Sequence, residues 1–186
     1  MVFNKEREKV SILNDMGNYV IRTGKIEDAE ATLNIQKSVV SEGEYVTAYP
    51  EEFTKTLSQQ REWIQRLLEN ENETIIVAEK DGEVVGLIVF ESTPNRKRLS
   101  HTGSFGLLIS NTCRGMGIGK MLIQVLLEWA EKNPFIEKVS LAVFSTNHRA
   151  ISLYKSMGFI EEGRKINEFK FADDEYVDDI LMYKLV

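Results

Sequence analysis

A chain of 186 residues, 42% of them hydrophobic and 28% charged, is long enough for one soluble domain with a substantial core and too short for two. Its formal charge of −6 argues against general nucleic-acid binding, which needs basic surface to displace counterions, and against docking on anionic membranes; a local basic patch would still suffice for a phosphorylated ligand. The lone cysteine, Cys113, excludes an intramolecular disulfide, and the two histidines, His101 and His148, supply no metal cluster.

Residues 1–17 are charged and weakly patterned, which predicts a loose arm or short extra helix ahead of a single domain spanning 18–186. The opening MVFNKEREKVSIL lacks the apolar core and cleavage site of a signal peptide, and no apolar run approaches the roughly 20 residues of a membrane span. A cytoplasmic location is therefore expected. Tyr19 to Arg22 reads as a first strand. Glu27 and Asp28 suit a helix N-terminus, and Ala29, Leu33 and Val40 repeat at helical spacing. Ser41 to Thr54 reads as a loop, and Trp63, Ile64, Leu67 and Leu68 form the apolar face of a second helix. Thr74–Glu79 and Val84–Glu91 are strands joined by a tight Asp81-Gly82 turn. Thr93 to Arg98 is a basic turn, read as a solvated loop, and His101–Ile109 is the next strand. A helix with Ile118, Leu122, Val125 and Trp129 on one face follows, closed by Pro134. Lys138–Phe144 is a strand, Ala150, Leu153, Tyr154 and Met157 lie on a helix, and Ile160–Phe171 and Tyr176–Val186 form a final hairpin. The order βααβββαβαββ predicts an α+β fold with a mixed, mostly antiparallel sheet, parallel only around residues 103–144.

The most informative stretch is Gly103–Lys120, where a strand delivers Arg114-Gly115-Met116-Gly117-Ile118-Gly119 to a helix N-terminus. The free first-turn N–H groups and the helix dipole there favour an anion, and glycine lets backbone approach a phosphate closely. Two familiar phosphate motifs fail. A P-loop needs glycine where Arg114 stands and Ser or Thr where Met121 stands, and the dinucleotide fingerprint needs its third glycine at Lys120. What remains is Arg-x-x-Gly-x-Gly. A second motif, Asn147-x-x-Ala150-x-x-Leu153-Tyr154-x-x-x-Gly158-Phe159, follows the strand Lys138–Phe144. In this order, each at a strand-to-helix junction, the two motifs resemble those of the GNAT family of N-acetyltransferases.

The resemblance implies that strands four and five splay into a V-shaped slot for acetyl-CoA, with no metal. The main chain around Leu107, Leu108 and Ile109 would hold the pantetheine amides, as a peptide augments a sheet. The pyrophosphate would take N–H groups from Gly115, Gly117, Ile118, Gly119 and Lys120, with charge from Arg114 or Lys120, and Asn147 would reach the cofactor from the other wall while also suiting a helix N-cap. Tyr154 would donate to the leaving thiolate, and an amide near Leu108 or Ile109 would stabilise the oxyanion. The general base is open: no carboxylate lies between Glu91 and Glu128, so the candidates are His101 and a water relayed by Ser104 or Glu91. Cys113, beside a helix N-terminus, invites an acyl-cysteine route, but the family transfers directly. The acceptor pocket would draw on Glu42, Glu44, Tyr45 and Tyr49 and on the last hairpin. Carboxylates at Glu42, Glu44, Asp178 and Asp179, the last on an apolar face with Val177 and Leu181, would attract a cationic amine. The expected acceptor is a small-molecule primary amine. A protein N-terminus or lysine, a non-catalytic acyl-CoA sensor and a homodimer stay open.

Overall fold

Local signals set the ends of the elements. The computed structural model describes residues 19–93 and 96–186; the expected N-terminal arm, and Pro94 and Asn95 of the basic turn, lie outside them. The strands are β1 (Tyr19–Thr23), β2 (Thr74–Lys80), β3 (Glu83–Ser92), β4 (Thr102–Ile109), β5 (Lys138–Phe144), β6 (Ile160–Ala172) and β7 (Glu175–Leu185). The helices are α1 (Ala29–Glu42), α2 (Leu57–Glu69), α3 (Ile118–Lys132) and α4 (His148–Ser156). A reciprocal capping box opens α2: Thr56 Oγ1 accepts from Gln59 N, and Gln59 Oε1 accepts from Thr56 N. Asp81 and Gly82 both take positive φ, 51° and 87°, which matches the twist of the β2–β3 hairpin. The loop expected from Ser41 starts later, because α1 runs on through Glu42 to a left-handed stop at Gly43.

The strands form one sheet in the order β1-β2-β3-β4-β5-β7-β6. Every neighbouring pair is antiparallel except β4 and β5. Alternation along the strands divides the core into two clusters. Ile76, Ile88, Phe90 and Phe105 pack with α3 and α4 on one face, whereas Ile75, Val77, Leu87 and Val89 pack with α1 and α2 on the other. Helix α3 buries more than its expected stripe: Met121, Ile123, Leu126, Leu127 and Ala130 are buried too, so most of its circumference is apolar core. Each fully buried Leu or Ile contributes about 1.5–3 kcal/mol, and this helix supplies Ile118, Leu122, Ile123 and Leu126.

The parallel pairing of β4 and β5 stops almost as soon as it starts. Only Thr102, Gly103 and Ser104 pair, with Lys138, Val139 and Ser140. Beyond them β5 stays with β7 as far as Phe144 opposite Asp179, while β4 stays with β3 as far as Ile109 opposite Gly86. The strands therefore diverge from an apex at Ser104. The β5-facing edge of β4 from Phe105 to Ile109 has no strand partner among the described residues.

Candidate active site

The register of β3 and β4 decides what that free edge offers. Ser110 N donates to Val85 O, and the β3–β4 register is unbroken from Ile109 to Gly103. In an antiparallel ladder alternate residues turn both main-chain groups toward the partner. Ser104, Gly106 and Leu108 are therefore spent on β3, and Phe105, Leu107 and Ile109 face the slot. Of the amides expected near Leu108 or Ile109, the one at Leu108 is consumed by the ladder. Leu107 and Ile109 present theirs, and Ile109 O already accepts from Arg114 Nε at 3.1 Å.

At the open end of the slot stands the glycine turn. Gly115 and Gly117 take φ of 86° and 79°, and Gly117 is the N-cap of α3, with no side chain capping the helix. A left-handed residue at this point costs little only as glycine, and it aims the first-turn N–H groups of α3 outward. Such a turn is built to receive an anion. Ile118 and Gly119 are buried and fix the helix against the core, while Lys120 is exposed beside them.

Of the two cations expected at this turn, Lys120 is exposed and Arg114 is paired within the protein. Arg114 Nη1 and Nη2 donate to Glu42 Oε2 and Oε1 at 2.6 and 3.0 Å, a bidentate pair that ties the end of α1 to the β4–α3 loop. Glu42 is thereby engaged at the open end of the slot. The cation that sequence reasoning missed is Arg149. A Cβ placed on Gly115 would stand 3.5 Å from its Nη2, and among the described residues Arg149 has no ion pair. Its signal was its place inside the Asn-x-x-Ala motif, in the first turn of a helix that faces the glycines. Asn147 Oδ1 accepts from Ala150 N at 3.1 Å and so caps α4.

The Leu-Tyr-x-x-x-Gly-Phe part of the second motif has a plain physical meaning. Gly158, at φ 86°, ends α4: Phe159 N donates to Tyr154 O and Gly158 N to Lys155 O, the two bonds of a Schellman motif. This places the Phe159 ring 6.1 Å from Tyr154, and Phe105 closes on the Tyr154 and Phe159 rings at 5.7 and 5.6 Å. Tyr154 is 8% exposed, and its hydroxyl has no hydrogen bond among the described residues. Burial pushes its phenol up to about 12. Phe105 follows Ser104 directly, so Tyr154 sits against the apex of the slot.

The remaining candidates are more dispersed. His101 lies ahead of β4 on the closed side of the apex, and its carbonyl accepts from Glu137 N and Lys138 N. About 10 Å of strand separates it from Ser104. Tyr45 is exposed in the loop after α1. Asp179 is 5% exposed on β7, in register with Phe144 and Lys165, whose Nζ stands 3.5 Å away. It flanks the open mouth on the face covered by α1 and α2. Cys113 is buried behind the turn. Among the described residues no helix is long and apolar enough to cross a membrane.

The family described as Acetyltransferase (GNAT) family matches residues 42–159, from the end of α1 to the close of α4. The L-amino acid N-acetyltransferase AaaT of Escherichia coli (strain K12) is 28% identical over 91% of this chain and 99% of its own. Among solved structures, a GNAT-family acetyltransferase from Streptococcus pneumoniae superposes with a TM-score of 0.85 at 23% identity, over 90% of this chain and 99% of that one. The yncA protein of Salmonella typhimurium, solved with its cofactor acetyl-CoA, gives 0.81 at 19% identity, over 91% and 94%. These two likenesses establish a shared fold. With the family matched across both junction motifs and the slot between them, the chain belongs to the GNAT family and is an N-acetyltransferase.

Proposed function

We propose that this enzyme transfers the acetyl group of acetyl-CoA directly to the primary amine of a small molecule. The observation that carries the reading is the early end of the β4–β5 pairing, with an uncapped, glycine-led helix N-terminus at the mouth and a buried tyrosine at the apex. Acetyl-CoA fits these features. Its diphosphate suits the N–H groups of Gly115, Gly117, Ile118, Gly119 and Lys120, with Arg149 and Lys120 as the nearby cations, and its pantetheine amides suit the free edge at Leu107. It supplies an activated acyl group.

The protein supplies position and electrostatics. The slot-facing N–H group of Leu107, the free one nearest the Tyr154 apex, is a donor for an oxyanion, fixed before reaction by the β3–β4 ladder. Tyr154 donates its hydroxyl proton into a hydrogen bond with the departing sulfur. A thiolate with a pKa of roughly 8.5 is too weak a base to take the proton outright from a phenol near 12, so the tyrosine stabilises the thiolate and stays neutral itself.

For the acceptor, a small amine is supported by the named activity of AaaT and by Asp179 beside the aromatic rings of Phe144 and Phe169, which lie 4.4 Å apart. The test is release of CoA thiol from acetyl-CoA with α-amino acids, spermidine and a short peptide with a free α-amine. Turnover with an amino acid or polyamine above that with the peptide supports the reading. Preference for the peptide moves the acceptor class to protein N-termini, and no release with any amine refutes it.

A further inference from the structure

The reaction needs a group to take a proton from the acceptor ammonium, and β4 carries no carboxylate. We propose that Glu91 of β3 is that general base, an inference that rests on the acetyltransferase reading above.

The β3–β4 register sets Glu91 directly opposite Ser104, the β4 residue at which pairing with β5 ends. Side chains opposite one another share a face of the sheet, so Glu91 stands over the apex on the side of α1 and α2. Tyr154 reaches the same apex from the other face through Phe105, the next residue along. The sheet is bare where Glu91 looks across it. Ser104, Gly106 and Ala142 are exposed, and a Cβ on Gly106 would meet nothing within 4 Å.

The carboxylate is held by one oxygen alone. Trp63 Nε1 and Arg66 Nη2 donate to Oε1 at 3.3 and 2.6 Å, whereas Oε2 has no hydrogen bond among the described residues. The charged groups that face it are Arg66, which also binds Glu73, and Lys55, whose Nζ lies 3.9 Å from the centroid of the Trp63 ring. β4 presents only the Ser104 hydroxyl. Of the other carboxylates around the slot, Glu42 gives both oxygens to Arg114, and Asp179, opposite Phe144 on β7, stands at the mouth and away from the apex.

The proton balance closes with this residue. The ammonium gives one proton to Glu91 Oε2, directly or through one water, and the freed nitrogen lone pair forms the C–N bond to the thioester carbonyl carbon. The C–S bond breaks with its electron pair on sulfur. A second proton leaves the nitrogen as the amide forms and ends on the thiol, and Glu91 returns its own to solvent.

The experiment compares wild type, Glu91→Gln and Glu91→Asp, using the panel amine with the highest kcat/KM, across pH 6 to pH 9. The glutamine variant keeps a side-chain oxygen to accept from Trp63 and Arg66, so Tm and the KM for acetyl-CoA should hold. The expected result is a fall in kcat/KM for the amine of about 10²-fold near neutral pH. That gap should narrow by about a decade per pH unit as free amine accumulates toward its own pKa, and Glu91→Asp should recover part of the rate. A Glu91→Gln enzyme with unchanged kcat/KM, or one depressed equally at every pH, overturns the proposal and leaves the acetyltransferase reading intact. Wild-type enzyme that releases no thiol removes that reading, and this inference with it.

Discussion

Replacing Tyr154 with phenylalanine isolates the hydroxyl from the packing around it. The ring holds its place through Phe105 and Phe159, and among the described residues the hydroxyl has no hydrogen bond to lose, so the folded state should be as stable as wild type at neutral pH. The catalytic loss is bounded by what the hydroxyl can give. A phenol at about 12 opposite a thiolate at roughly 8.5 would transfer its proton uphill by several pKa units, at about 1.4 kcal/mol each, so it contributes a hydrogen bond to an anion instead. Such a bond is worth about 1.5–3 kcal/mol, which predicts a fall in kcat of roughly 10- to 10²-fold. Thiol release at saturating amine and acetyl-CoA measures it. The same burial gives a second readout. Because the folded phenol lies above its ordinary value of 10.0, its contribution to stability is intact below pH 10 and is lost as pH rises through about 12. Over that window wild type should lose about 3 kcal/mol that Tyr154→Phe keeps. An unchanged kcat would refute the role at sulfur, and matching alkaline unfolding curves would refute the buried phenol.

Gly117→Ala should raise the KM for acetyl-CoA by roughly tenfold with kcat retained at saturation, because a left-handed alanine costs about 1–2 kcal/mol; an unchanged KM would remove the turn from the binding site. Arg149→Ala should weaken CoA binding in a salt-dependent way, measured by calorimetry, and by more than Arg114→Ala does. For Arg114 and Glu42, alanine at either should lower Tm by a similar amount and the double variant by little more, as expected of one shared ion pair; additive losses would contradict it. Asp28 is buried, which by itself would raise its pKa, but paired bonds from Arg22 at 2.7 and 2.8 Å and one from Lys25 N outweigh burial and hold it below the usual carboxylate range. Its contribution is present above that range and lost as pH falls through the depressed value. Asp28→Asn should therefore cost about 3–5 kcal/mol in denaturant unfolding at pH 7, and the gap to wild type should shrink in acid.

The sequence carried the site's backbone better than its charges. β5 falls at Lys138–Phe144 as expected, because it is an uninterrupted apolar alternation bounded by Pro134 and the Asn147 cap. The glycine turn was legible because glycine followed by a helical pattern reports φ and chain direction together. Partnerships between distant residues were not. Arg114 and Glu42 are 72 residues apart, and only the packing of α1 across β4 makes them meet. The choice between Leu107, Leu108 and Ile109 amides likewise depends on the strand ladder, since moving one residue along a strand reverses which way its main chain faces. His101 and Ser104 are near neighbours in the chain, yet the point at which β5 departs separates them. That point is set by β5 pairing with β7, from the far end of the chain.

A crystal structure with acetyl-CoA bound would decide whether the glycine turn and the β4 edge hold the cofactor. The diphosphate should lie on the N–H groups between Gly115 and Lys120, the pantetheine along the β4 edge at Leu107, and the thioester sulfur within hydrogen-bonding distance of the Tyr154 hydroxyl. A cofactor lodged elsewhere, with the glycine turn bare, would contradict this placement.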